Sequence, residues 1–171
     1  MSRIAGSSTD VALWTMRRQG VPVLTTLAAS LLDLAPIVAR APLIPDFAFL
    51  VLIAWRLLRP GMWMAHIALP LGLFNDLVAG HPLGQSMAIW TVTFLVLDLV
   101  DMRVGWRDYW VDWLLACAAI FFNSVGGWYI ARLMGSQAHY AVMLPQLLLS
   151  VFAYPLVARL VLALDRWRLA R

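Results

Sequence analysis

The residues with most potential for chemistry lie in one stretch of an apolar chain, Pro70 to Gly84 (PLGLFNDLVAGHPLG). If this stretch is helical to about Ala79, Gly72, Asp76 and Gly80 fall at i, i+4 and i+8 and share one helix face. An aspartate in a hydrocarbon span is costly, so its side chain should face protein or trapped water rather than lipid. The spacing therefore predicts a small, polar face that can approach another backbone closely.

Six residues are predicted to form a face for packing or for partner contact: Asp46, Gly72, Asn75, Asp76, Gly80 and Gly84. Asp46 also follows a proline at the expected start of a helix, where a carboxylate suits the positive end of the helix dipole. A purely structural role for Asp46 therefore stays open beside a functional one.

Catalytic motifs are not evident. HExxH, CxxC, P-loop and GxGxxG patterns are absent, and Ser124 has no histidine near it in sequence. Asp33 and Asp76 could serve as the two aspartates of an intramembrane protease, but neither has a distinctive flanking motif. The sequence thus predicts a protein that is not an enzyme, with no cofactor and no metal site. A carrier or small-molecule binder stays open, because Asp and Asn on inward helix faces could line a cavity.

The composition indicates an integral membrane protein. Of the 171 residues, 63% are hydrophobic and 13% are charged, and the mean hydropathy is +0.80. Soluble domains are nearer half apolar and about a quarter charged. The net charge of +4 does not indicate nucleic-acid binding, because the arginines lie in ones and twos at the ends of apolar runs. The single cysteine, Cys117, cannot form an internal disulfide.

The chain divides into an N-terminal arm (1–20), a transmembrane domain (21–164) and a basic tail (165–171). Runs of apolar residues predict an all-α bundle of about six spans. The predicted spans are 21–39, 45–59, 62–79, 85–101, 109–134 and 140–164. The second and third are short for a bilayer crossing, which needs about 20 residues. A broken or tilted helix is therefore expected there.

The arginines predict the orientation of these spans. With six spans both termini lie on one side, and that side collects eleven of the 13 arginines; only Arg40 and Arg132 fall on the other. Because cytoplasmic loops carry the excess of basic residues, both termini are predicted to be cytoplasmic, N-in and C-in.

This orientation sorts the buried charges into two layers. The outer layer holds Asp33, Asp46, Asp76 and His81, with Arg40 close in sequence; the inner layer holds Arg56, Asp98, Asp101 and Asp112. Pairing of an outer aspartate with Arg40, and of Arg56 with Asp98, would lower the cost of burial. Structural pairing and a functional site remain alternatives for each layer.

The order of residues resembles the MreD family of rod-shape-determining membrane proteins. That family has a Pro-Asp at the start of its second span, an aromatic about ten residues on, a proline ending the span, and then G-x-x-x-D-L-x-x-G-x-x-x-G. Here these are Pro45-Asp46, Trp55, Pro60 and the run from Gly72 through Asp76 and Gly80 to Gly84. The resemblance covers about residues 36–101 and is only topological beyond them.

The resemblance implies a multi-pass protein of the bacterial cytoplasmic (inner) membrane that acts as a non-enzymatic scaffold in cell elongation. Its partner would be MreC, a single-span protein, and through it the chain would help connect MreB filaments to the peptidoglycan (cell-wall) synthases. The family looks similar in fold to the substrate-binding component of energy-coupling-factor transporters. Besides membrane lipids, then, the expected partners are proteins and not nucleic acid.

Overall fold

The computed structural model describes residues 20–34, 44–103, 108–137 and 139–169, with the side chain of Asp33 excepted. These residues form an all-α bundle, as predicted, and none of them is in a strand. The six α-helices are α1 (Gly20–Ser30), α2 (Phe47–Leu58), α3 (Ala68–Ala79), α4 (Gln85–Arg103), α5 (Tyr109–Leu133) and α6 (Leu144–Leu169). Short 3-10 turns, Leu31–Leu34, Ala65–Ile67 and Tyr140–Met143, adjoin α1, α3 and α6.

Three of these helices are long and apolar enough to cross a membrane. They are α4 with 19 residues, α5 with 25, and α6 together with its 3-10 turn, with 30. At 1.5 Å per residue, 19 residues extend about 28 Å, close to the thickness of a hydrocarbon core. The prediction of a membrane-embedded helical bundle is therefore supported. Three of the six predicted spans correspond to helices long and apolar enough to cross a membrane.

The outer surface of the long helices is apolar. Large hydrophobic side chains on α4, α5 and α6 are more than half exposed, among them Leu99, Phe121, Phe152 and Leu156. At most a third of the apolar window of each long helix is buried inside the protein. Contiguous apolar surface on this scale indicates an apolar surrounding rather than water.

The helices α2 and α3, which correspond to the second and third predicted spans, are shorter than those spans. α2 has 12 residues, about 18 Å, and so cannot cross the hydrocarbon core along its own length. It ends where Pro60 and Gly61 form a turn, with Gly61 at a φ of +81°. The chain then continues without helix to Met64, so the third helical segment begins at Ala65 rather than Met62. The broken, short segments expected here are therefore present.

Burial explains how so short a helix is accommodated. Nine of the 12 residues of α2 are buried, including Phe49, Trp55 and Arg56. α2 packs mainly against α6 and α5, and the indole N–H of Trp55 donates to the Thr25 hydroxyl of α1 at 3.0 Å. Other helices, rather than lipid, therefore form its surroundings, and α2 is the central element of the bundle.

The helix directions give the bundle two distinct ends. The C-terminal ends of α2, α4 and α6 meet through ion pairs, and we call this the basic end. The start of α2, the α3–α4 turn, the second half of α5 and the start of α6 surround a cavity, and we call this the cavity end. Three predicted features lie outside the described residues: the N-terminal arm up to Gln19, the end of the first span, and Arg40.

Candidate functional site

The carboxylate of Asp76 caps the next helix along the chain. Asp76 is 1% exposed, and its Oδ1 accepts the backbone N–H of Ser86 at 2.7 Å. Its Oδ2 accepts the N–H of Gly84 at 2.9 Å and lies 3.5 Å from the nitrogen of Met87. The first N–H groups of a helix have no partner within the helix, and a negative charge there also matches the helix dipole. Asp76 thus supplies for α4 what a local N-cap residue normally supplies.

Gly72 allows this hairpin to close. A Cβ at Gly72 would lie 2.6 Å from both the Cα and the N of Met87, and 2.8 Å from the carbonyl carbon of Ser86. These are backbone atoms, which cannot move aside as a flexible side chain can. The prediction of a close backbone approach therefore holds at Gly72, and the neighbouring element is the start of α4.

Gly80 and Gly84 differ from the sequence-based expectation. A Cβ at either would meet no atom within 4 Å, so neither packs against a helix. Gly80 instead ends α3 in the left-handed conformation, with φ at +70°, and Gly84 has φ at +97°. Both positions favour glycine because of backbone conformation. The common spacing of Gly72, Asp76 and Gly80 therefore conceals three different roles.

Asn75, the other polar residue of the motif, is also part of the hairpin. It is fully buried, and its Nδ2 donates to the hydroxyl of Ser86 at 3.2 Å. Within the described residues its Oδ1 has no hydrogen-bond partner. Asn75 and Asp76 therefore both bind Ser86, one through the side chain and the other through the backbone.

The basic end contains the predicted Arg56–Asp98 pair. The side chain of Arg56 is 1% exposed and pairs with Asp98, and also with Asp101 at 2.8 Å. A second network, which the sequence analysis missed, joins Asp165 of α6 to Arg59 and to Arg168, both at 2.6 Å. The sequence distance of 106 residues between Arg59 and Asp165 hides this contact. Together the two networks hold the C-terminal ends of α2, α4 and α6 together.

The predicted outer cluster is divided in the structure. Asp76 belongs to the hairpin, whereas Asp46 and His81 line the cavity at the cavity end. The side chain of Asp33 and the whole of Arg40 lie outside the described residues, so their predicted pairing stays a prediction.

The cavity has a volume of about 510 Å³, within the range of about 300–1,000 Å³ for small-molecule sites. It lies between the start of α2, the α3–α4 turn, α5 and α6. Its polar lining consists of Asp46, His81, Gln85, Asn123, Ser124, Gln146 and Ser150, and its apolar lining includes Phe49, Leu50, Ile120 and Trp128. The described residues contain no group of three or more His, Cys, Asp or Glu that could hold a metal ion.

Asp46 links the cavity to the fold. Its Oδ1 accepts the N–H of Phe49 at 2.9 Å, which caps α2 as the Pro-Asp pair predicts. Its Oδ2 accepts the side-chain amide of Asn123 on α5 at 3.0 Å. Sequence analysis did not single out Asn123, Gln85 or Gln146. The available signal was that each is an isolated amide at or within an apolar helix, where a polar side chain normally faces the bundle.

Comparisons of the chain with protein-family models, with curated proteins and with solved structures returned no match. Function is therefore inferred from the geometry of the hairpin and the cavity together with the residue pattern that carries the resemblance.

Proposed function

We propose that this chain is an MreD-like scaffold of the bacterial inner membrane, which binds an MreC-like single-span protein and so connects MreB filaments to cell-wall synthases. The observation that carries the proposal is that the motif underlying the resemblance has a physical reason for its spacing. Gly72 admits the backbone of Met87, and Asp76 accepts the N–H of Gly84 and of Ser86. The motif therefore specifies the close packing and capping of an α3–α4 hairpin.

A scaffold role is also consistent with the distribution of apolar surface. The described connections between helices are short, and the long helices present apolar side chains outward. Association of helices in lipid depends on shape and on a few polar groups. Partner contacts are therefore expected to be lateral, within the membrane, or at the α3–α4 turn.

Cross-linking tests the partner and its place of contact. Leu83, on the α3–α4 turn, is 72% exposed, and Met102, near the basic end of α4, is 81% exposed. With a photo-reactive residue at each position in turn, and an MreC-like partner co-expressed, we expect strong cross-linking from Leu83 and weak cross-linking from Met102. The similar exposure of the two positions makes Met102 a matched control. Strong cross-linking from Met102 alone would place the contact at the basic end, and none from either, with no co-purification, would refute the scaffold function.

The proposal includes six membrane-embedded segments with both termini in the cytoplasm. In this arrangement the basic end is cytoplasmic and the α3–α4 turn is on the outer side, as the arginine distribution favours. In a Cys117→Ser background, a cysteine at Leu83 should react with an impermeant thiol reagent added to spheroplasts. A cysteine at Ser2 should react only after the membrane is opened. Labelling of the Ser2 position from outside would reverse the orientation.

A second function, small-molecule binding within a membrane carrier, is favoured by one observation. The cavity at the cavity end is of ligand size and is lined by hydrogen-bonding side chains from α2, α4, α5 and α6. A scaffold alone gives no reason for these groups to face a cavity.

A further inference from the structure

The cavity places one carboxylate beside amide and hydroxyl side chains and one histidine, His81. Among the described residues that line the cavity Asp46 is the only acidic one, and the two hydrogen-bond donors that they offer it, the Phe49 N–H and the Asn123 amide, carry no charge. A carboxylate has about four acceptor positions, so roughly two remain. The other ionisable group of the described lining is His81, which lies on the exposed α3–α4 turn. Asp46 thus retains acceptor capacity toward the cavity.

Two further acceptors come from the starts of neighbouring helices. Gln85 begins α4 and Gln146 lies in the first turn of α6, and both line the cavity. In the part of the chain that the structure describes, neither side-chain amide has a hydrogen-bond partner. Gly127 of α5 leaves space for one of them, because a Cβ there would lie 3.3 Å from Nε2 of Gln85.

An apolar wall completes the cavity. Phe49 and Ile120 are buried core residues that also line it, and Trp128 adds an indole ring. Binding sites for small molecules combine such an apolar surface with a few polar groups that fix orientation. Three of its polar groups can accept hydrogen bonds without a competing partner: the carboxylate of Asp46 at the N-cap of α2 and the side-chain amide oxygens of Gln85 and Gln146.

We propose that the cavity binds a primary ammonium group attached to a small apolar or aromatic body, an inference that rests on the second function above. The ammonium binds Asp46 and the amide oxygens of Gln85 and Gln146, and the body contacts Phe49 and Ile120. A primary ammonium has three donors, which matches three acceptors, and its charge offsets the cost of a carboxylate within a membrane bundle. A free amine and an ethanolamine lipid headgroup share this chemistry.

Tyramine and its uncharged analogue tyrosol test the class of ligand, since they differ in the ammonium group. Calorimetry on the full chain in neutral detergent should show tyramine binding at least tenfold more tightly than tyrosol. Asp46→Asn should weaken tyramine binding at least tenfold, because asparagine keeps the helix cap but removes the charge. Gln146→Leu, of similar size, should weaken it severalfold. Asp98→Asn, which removes a carboxylate at the basic end, should leave it unchanged.

A second experiment identifies the source of the ammonium group. Dioleoyl phosphatidylethanolamine added to the micelles should raise the thermal midpoint more than dioleoyl phosphatidylcholine if a lipid headgroup binds, and Asp46→Asn should remove the difference. Tyramine binding without that difference assigns the site to a free amine, and either result supports the inference.

Three outcomes would overturn it. Equal affinity for tyramine and tyrosol would show that the site does not recognise the ammonium group, although it binds a small molecule. Equal tyramine affinity in wild type and Asp46→Asn would place the ligand elsewhere. Absence of binding by tyramine, tyrosol and the ethanolamine lipid would refute the ligand class and leave the second function without support. Because the chain is studied alone, none of these results bears on the scaffold function.

Discussion

Substitution of Gly72 by alanine is expected to destabilise the protein by about 2–3 kcal/mol, the upper part of the range of about 1–3 kcal/mol that overpacking of a filled interior typically costs. The added methyl carbon would lie 2.6 Å from backbone atoms of Met87, so α3 and α4 must separate. For a chain of this size the thermal midpoint in detergent should fall by roughly 5–10 °C. Leucine at the same position should abolish accumulation of folded protein.

Two other glycines provide matched controls for this experiment. A Cβ at Gly126 would lie 3.0 Å from the Cδ1 of Ile89, a side-chain atom that can move, so Gly126→Ala should cost less. A Cβ at Gly20, the first residue of α1, would meet no atom within 4 Å, and Gly20→Ala should be close to neutral. The thermal midpoint, measured by scanning fluorimetry, should therefore be highest for Gly20→Ala, lower for Gly126→Ala and lowest for Gly72→Ala. If Gly72→Ala has the same thermal midpoint as Gly20→Ala, α3 and α4 are not in close contact at Gly72.

The second large effect is expected at Asp76. In Asp76→Leu the N–H groups of Gly84 and Ser86 lose their acceptor, and each unsatisfied buried group costs about 1–3 kcal/mol. Because the hydrogen bond of Gly84 is only partly buried, we expect a loss of about 2–4 kcal/mol, in the lower part of the summed range. Asp76→Asn keeps one acceptor oxygen and should lose about half as much. Amide hydrogen exchange should become faster specifically at the start of α4 in both variants. A general loss of stability would instead speed exchange throughout the protein.

Asp108 and Asp10 are suitable controls for Asp76. Asp108 also precedes a helix, but its side chain is exposed and makes no capping hydrogen bond. Asp10 lies in the polar N-terminal arm. Leucine at either position should change the thermal midpoint by far less than leucine at Asp76. Similar, small effects at all three aspartates would show that the carboxylate of Asp76 does not hold the hairpin.

Both predictions bear on what the motif is for. If Gly72 and Asp76 act through the hairpin, their variants should lose partner cross-linking only to the extent that they lose folded protein. The cavity variant Asp46→Asn should behave differently, with a stable fold and altered ligand binding. Comparison of the two groups separates residues that build the fold from those that a ligand contacts.

The class of the protein and several local features can be inferred from sequence alone. An apolar composition with arginines at the ends of apolar runs indicated a membrane helical bundle. Pro45-Asp46 marked the start of α2, and Gly80 followed by Pro82 marked the end of α3. These features depend on neighbouring residues alone, through proline geometry, glycine conformation and the helix dipole, so one sequence suffices to find them.

Which polar groups come into contact depends instead on how the helices pack. Equal spacing suggested that Gly72, Asp76 and Gly80 share one face and one role. In the structure Gly72 allows close approach of α4, Asp76 caps α4, and Gly80 ends α3 through its left-handed conformation. Asn123 reaches Asp46 across 77 residues, and Asp165 reaches Arg59 across 106. Apolar periodicity does not specify such contacts, because in lipid both the inward and the outward face of a helix are apolar. Which helices pack together, and therefore which isolated polar residues share a cavity, follows from the shape of the whole bundle.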